Sequence, residues 1–230
     1  MCGKFAAQAS WAETTRIIEN ETGTVLDDSD APIGNDREVV HRVMSMIPVH
    51  VWDRETQQRR IVPMRWGFPH RSDWRRPDVI HARSETIDEK KTFRDAFLDG
   101  QRGVIFVKTF NEAPDIPGPT IQHTIMPDAN MTGIAMLWRR FDVGAAIPLL
   151  ACVMVTAPAN TLIAGLPTDR MPAILDPADW KAWTGEEPAS VDALKAMLKT
   201  VEGVNWRMSR EDRDTKPRRR PTVSDPGGLF

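Results

Sequence analysis

Short β-rich runs and capped helical stretches are interspersed along this chain without a regular βαβ period, and this irregular order most constrains its fold. The strand signals are Val49 to Trp52 and Arg59 to Met64, a hairpin around the polar DRETQQ segment, followed by Val79 to Arg83. Val104 to Val107 reads as a buried strand, and Gly133 to Trp138 and Cys152 to Thr156 add two more. Ser10 followed by Glu13 has capping-box spacing and predicts a helix from Trp11 to about Glu21; residues 22–38 read as loop. Thr86 with Glu89 repeats that spacing ahead of a helix that runs to Leu98 and stops at Gly100, while Asp176-Pro177 and Ser190 open two late helices. The expectation is one α+β domain built around an antiparallel or mixed β-sheet with peripheral helices.

At 230 residues, 41% hydrophobic and 27% charged, the chain can bury one sizeable core. Its 30 Lys and Arg nearly balance 32 Asp and Glu, so any nucleic-acid binding must come from local patches. Cys2 and Cys152 make no disulfide framework, and the chain carries neither a signal-peptide pattern nor an apolar run able to span a bilayer. A cytoplasmic, membrane-free protein is expected, nucleoid-associated when bound to DNA, with nothing demanding more than a monomer. Five histidines, at 41, 50, 70, 81 and 123, are scattered singly and form no metal-ligand pattern with either cysteine, so no metal and no cofactor are expected. Most of the eight tryptophans are read as core. The expected domain spans residues 1–206, and 207–230 reads as a charged tail whose KPRRR run at 216–220 either touches phosphate or is simply solvated.

Cys2 carries the most distinctive chemistry. Trimming of Met1 leaves an N-terminal cysteine whose α-amine and thiol can close together on one aldehyde as a five-membered thiazolidine. The unperturbed amine titrates at roughly 7.7 to 8.0 and the thiol near about 8.5, so both nucleophiles are available near neutral pH.

MCGKF at the N-terminus, RWGFP at 65–69, HARSET at 81–86 with FR at 93–94, VKTFNEA at 107–113 and TDRMPAIL at 168–175 occur in an order that resembles the SOS-response-associated peptidase family, also called abasic-site processing proteins. The resemblance implies a barrel-like α+β fold and a sensor that crosslinks to abasic sites in single-stranded DNA through Cys2. It makes Glu112 the acid/base candidate, against the plain alternative of a surface carboxylate. Arg83 is similar to a family arginine that contacts phosphate, and Lys4 stands where the family usually has arginine. Arg65 and Arg94 are candidates for the same duty or for structural roles. Trp66, Trp74 and Phe110 are possible stacking partners for unpaired bases, and Arg71, Arg75 and Arg76 around Trp74 suit a DNA-facing loop.

This sequence departs from the family pattern at four places. His81 replaces the asparagine that heads the Asn-Ala-Arg string and is read either as a proton shuttle or as a packed histidine. Thr168 falls on the family's catalytic histidine and cannot act as an acid or base near neutral pH, which bears on crosslink reversal and strand cleavage by β-elimination. REVVHRVMSMIP replaces the Tyr-Asn-x-Ala-Pro string, and Ala113 replaces the tryptophan after the family glutamate. Two other functions remain open on the sequence: a cysteine peptidase or other hydrolase using Cys2 as an N-terminal nucleophile, and a catalytically altered paralogue that binds single-stranded DNA without covalent capture.

Overall fold

The computed structural model describes residues 3–7, 16, 19–20, 39–116, 121–129 and 131–211. Its strands are β1 (Lys4–Ala7), β2 (Val39–Arg42), β3 (Met46–Asp53), β4 (Gln58–Trp66), β5 (Phe68–Pro69), β6 (Pro77–Val79), β7 (His81–Arg83), β8 (Arg102–Val107), β9 (Thr109–Glu112), β10 (His123–Met126), β11 (Thr132–Phe141), β12 (Leu149–Pro158), β13 (Arg170–Pro172), β14 (Ile174–Leu175) and β15 (Arg207–Arg210). The helices are α1 (Lys91–Leu98), α2 (Thr161–Ala164), α3 (Trp180–Thr184) and α4 (Val191–Ala196). The helix expected over Trp11 to Glu21 falls almost wholly outside the described residues.

Five strands close into a barrel in the order β12-β4-β3-β8-β11 and back to β12, every contact antiparallel except the parallel pairing of β4 with β12. The single α+β domain anticipated from the irregular element order is thus built on a mixed sheet. Strand alternation fills both faces of the barrel wall. Ile105 and Val107, Ile134 and Met136, and Cys152 and Met154 point into one cluster with Val49, Met64 and Trp66. Their neighbours Val104 and Phe106, Ala135 and Leu137, and Val153 and Val155 point outward, where Phe93 and Phe97 of α1, Trp180 and Trp183 of α3, and Leu194 of α4 cover them. Strands coated on both faces read as continuous apolar runs, which is why 104–107 and 152–156 stood out in the sequence.

The long strand β12 organises what surrounds the barrel. Its second half leaves the ring, pairing in parallel with β7 and antiparallel with β13. The late helices start as their sequences direct: Asp176 Oδ1 accepts the Ala178 N–H at 3.0 Å, and Ser190 Oγ accepts the Ala193 N–H at 3.1 Å. The Thr86 capping expectation is corrected. Ser84–Thr86 forms its own 3-10 turn, and α1 begins at Lys91 with no side-chain cap. Arg207–Arg210, expected to belong to the tail, pairs with β10 as an edge strand, and the Glu211 N–H donates to the Gln122 carbonyl at 2.9 Å.

Candidate active site

A second sheet, in the order β15-β10-β9-β1-β2, lies against the barrel. One face carries Phe5, Phe110 and Ile125, all buried in the barrel-side cluster, and the Phe5 ring lies 5.3 Å from that of Trp66. Residues two apart on a strand share a face, so Glu112 continues the Phe110 stripe. It is 1% exposed, which removes the surface-carboxylate alternative. His123 is its direct cross-strand partner on β10, and Arg210 of β15 stands opposite His123. Phe5 pairs with Phe110 and Ala6 with Thr109, so continuing the register by two residues brings Gly3 opposite Glu112. Gly3 is held from the other side by the Val43 N–H, at 3.4 Å. Cys2 lies outside the described residues; one peptide bond joins it to Gly3.

The opposite face of the same sheet is polar. Lys4 Nζ donates to Glu211 at 2.6 and 2.9 Å, Asn111 Nδ2 donates to Glu211 at 2.8 Å, and Thr124 Oγ1 donates to it at 3.1 Å. Burial pushes the Glu211 carboxyl up, but the bonds from Lys4, Asn111 and Thr124 outweigh it and hold the group below the usual carboxylate range. Lys4 is therefore engaged by a carboxylate one residue from Gly3, and Glu211 ties the last described residue to the first strand. Nothing in a charged stretch read as tail signalled this clasp.

The remaining candidates reach the Glu112 rung by different routes. The Asp115 N–H donates to the Pro167 carbonyl at 2.7 Å, joining the segment after Glu112 to the Thr168 loop. Thr168 is buried, and its Oγ1 has no hydrogen-bond partner among the described residues. His81 pairs with Met154 and sets its ring edge-on to Trp66, with centroids 6.5 Å apart. Trp66 itself is fully buried between Phe5 and His81, with its Nε1–H donating to the Ile80 carbonyl at 3.3 Å. Its ring face and that of buried Phe110 are used in packing, so the stacking expectation is corrected for both.

Arg65 is buried, and it donates to the Trp74 carbonyl at 2.6 Å and to the Gly67 carbonyl at 3.3 Å. Burial lowers its pKa, and its role is to pin the loop between β5 and β6. That loop presents Trp74, 41% exposed, with the Arg75 guanidinium 5.4 Å from its ring and exposed Arg71 and Arg76 nearby. Arg83 is exposed at the end of β7 and has no partner among the described residues. Arg94 lies on α1 in the outer helical layer and bonds its neighbour Asp95 at 3.0 Å. Trp74, Arg75 and Arg76 precede β6, and Arg83 ends β7, two residues after His81; all four are exposed.

One pair escaped the sequence reading although both members sit in the quoted strings. Arg170 grips both carboxylate oxygens of Glu85, with Nη2 to Oε2 at 2.8 Å, and also donates to the Thr156 carbonyl at 2.6 Å. The Arg170 bonds draw the Glu85 carboxyl down to about 2. HARSET and TDRMP are therefore locked together across β12, which fixes the backbone that carries both His81 and Thr168.

A profile of the SOS response associated peptidase (SRAP) family matches residues 1–212. The chain belongs to this family. Membership places it, at the level of the family, among SOS-associated proteins linked to abasic sites. Three solved structures share the fold. A protein from Bacteroides thetaiotaomicron is 18% identical with a TM-score of 0.71, with 93% of each chain covered. One from Bordetella bronchiseptica, also 18% identical, has a TM-score of 0.70 over 92% of this chain and 100% of its own. A phage-related protein of Bordetella bronchiseptica has 18% identity and a TM-score of 0.66 over 91% and 94%. No curated protein matches the chain. Among the described residues no cluster of His, Cys, Asp or Glu could hold a metal ion, and no helix is long and apolar enough to cross a membrane.

Proposed function

We propose that this SRAP protein captures abasic sites in single-stranded DNA as a thiazolidine on Cys2. The reading is carried by the buried Glu112 at the rung of Gly3, one peptide bond from the nucleophile. In the proposed sequence the Cys2 amine attacks C1′ of the ring-opened sugar aldehyde, giving a carbinolamine. Glu112 protonates the departing hydroxyl, water leaves, and a Schiff base forms. The Cys2 thiolate then adds to the same carbon, the C=N electron pair moves to nitrogen, and the ring closes with net loss of one water. Holding amine, thiol and carboxyl around one carbon supplies proximity. The exposed side chains of Trp74, Arg75, Arg76 and Arg83 would bind the strand, with base stacking on Trp74 contributing about 1 to 3 kcal/mol.

The test is incubation of Met1-trimmed protein with single-stranded DNA bearing one abasic site. A denaturation-resistant adduct is expected, absent in Cys2→Ser and when an added residue blocks the amine. Equal crosslinking by Cys2→Ser overturns the proposal. Burial of Thr168, which offers no proton donor or acceptor of suitable strength, favours one second reading: a protein that binds single-stranded DNA and forms no covalent product. Intact mass after the same incubation separates the two.

A further inference from the structure

We infer that His123 is the proton-relay residue of this site, working through Glu112. The inference rests on the proposed capture chemistry for its function but on the register of the second sheet for its geometry. Thr168 leaves the site without a titratable group at the position where the resemblance implies a histidine. Capture consumes no net proton, because the Cys2 amine and thiol release what the leaving hydroxyl takes up, but a buried Glu112 carboxylate is disfavoured between those steps. A neighbouring group that returns the proton promptly shortens that interval.

His123 is the described histidine directly paired with Glu112 across neighbouring strands. Antiparallel partners have Cβ atoms about 4.5 to 5.5 Å apart on one face, within the reach of an imidazole and a carboxyl. On its other side His123 is paired with Arg210, so the rung reads Glu112, His123, Arg210 across β9, β10 and β15. The His123 Nδ1 atom is buried and has no hydrogen-bond partner among the described residues. A structural histidine normally spends its ring nitrogens on fixed partners, whereas a relay needs a nitrogen that can exchange a proton. The charged groups next to it in register are Glu112 on β9 and Arg210 on β15. Glu211 and Lys4 lie on the opposite face of the sheet, paired with each other. Arg210 is exposed and opens this end of the rung to solvent, the source and sink for the proton.

The step is a proton exchange. When Glu112 gives its proton to the leaving hydroxyl, an imidazolium N–H bond of His123 breaks as the carboxyl O–H bond re-forms, leaving a neutral ring that is reprotonated from water. Run backwards, the same exchange lets Glu112 accept a proton during crosslink reversal. His123 touches no reacting atom and is a positioning and relay residue.

Two measurements test this. In the first, the His123 imidazole resonances are titrated by NMR in the unliganded protein and in Glu112→Gln. A change in the His123 ring resonances across the titration is expected when the neighbouring carboxyl is replaced, and identical curves overturn the inference. The second compares the pH profile of adduct formation between pH 5 and 8 in the unaltered protein and in His123→Gln. The expected result is about tenfold or greater slowing in the variant together with loss of the pH-dependent limb. An identical profile overturns the inference. If the unaltered protein forms no adduct at all, the capture proposal fails, while the NMR titration still decides the coupling.

Discussion

Two histidines, His50 in the barrel wall and His123 in the second sheet, show how neighbours assign a role to the same side chain. His50 on β3 is flanked by Ile61 on β4 and Val104 on β8, and it sets its ring edge-on to Phe106 with centroids 4.7 Å apart. Burial, assisted by the nearby Arg59 charge, pushes its pKa down to about 3, so it stays neutral in the folded protein. His123 on β10 is flanked by Glu112 and Arg210 instead. Each has a buried Nδ1 without a hydrogen-bond partner among the described residues, yet only one lies in a row of ionisable groups. The same contrast extends to the arginines. In the wall, Arg102 donates to the Phe97 carbonyl at 2.6 Å and the Trp183 carbonyl at 2.6 Å, stitching α1 and α3 to the barrel. Arg59 donates to Glu186 at 2.6 Å. Outside the ring, Arg83 and the Trp74 loop leave their guanidinium groups exposed. The buried guanidinium groups hold the fold, whereas the exposed ones are free of that duty among the described residues.

The largest separation is expected from Arg102→Met. Burial, with the Arg54 charge adding to it, lowers the Arg102 pKa to about 10, and the group remains a cation at neutral pH. Removing it strands the Phe97 and Trp183 carbonyls, so urea unfolding is expected to show a loss of about 3 kcal/mol, with unchanged DNA crosslinking in protein that remains folded. Glu112→Gln is expected to behave oppositely, slowing adduct formation by about 100-fold or more with little change in midpoint for unfolding. A variant that lost stability in step with activity would make Glu112 structural and dissolve the distinction.

A smaller effect sharpens the histidine comparison. The folded-state pKa of His50 lies below the ordinary 6.5, so the stability it contributes is complete above 6.5 and is lost as pH falls toward about 3. The decline is at most about 1.4 kcal/mol per pH unit, and His50→Phe is expected to remove it from a pH series of urea melts. Glu85 gives the smallest change because its side chain is 48% exposed and well screened. Its depressed carboxyl, held by Arg170, supports the fold above 4.5 and loses that support as pH falls toward about 2. Glu85→Gln is expected to lower stability slightly at neutral pH, to leave it almost unchanged near pH 2, and so to flatten this acid limb.

Strands of the barrel were legible in the sequence because they are apolar on both faces, and the late helices because Ser190 and Asp176 cap them by local chemistry, whereas closure into a barrel was implied only by the family resemblance. The second sheet was not. Its strands are four residues each and polar on alternate positions, and they draw on chain segments as far apart as Lys4 and Arg210. Arg207–Arg210 reads as tail because an edge strand needs little hydrophobicity when its partner supplies the ladder. The site divided along the same line. Glu112 was visible within its string, and its burial follows from sharing a face with Phe110. His123 stood alone in the sequence, since only the antiparallel register between β9 and β10 brings it to Glu112. Trp66 was misassigned for a related reason: an indole in a motif gives no sign of which neighbours cover its faces.

The most direct test of the account is the intact mass, under denaturing conditions, of Met1-trimmed protein incubated with single-stranded DNA containing one abasic site. The account predicts a species equal to protein plus DNA less one water, formed slowly by Glu112→Gln and not at all by Cys2→Ser. A complex that dissolves completely on denaturation, or an equal adduct from Cys2→Ser, would contradict it.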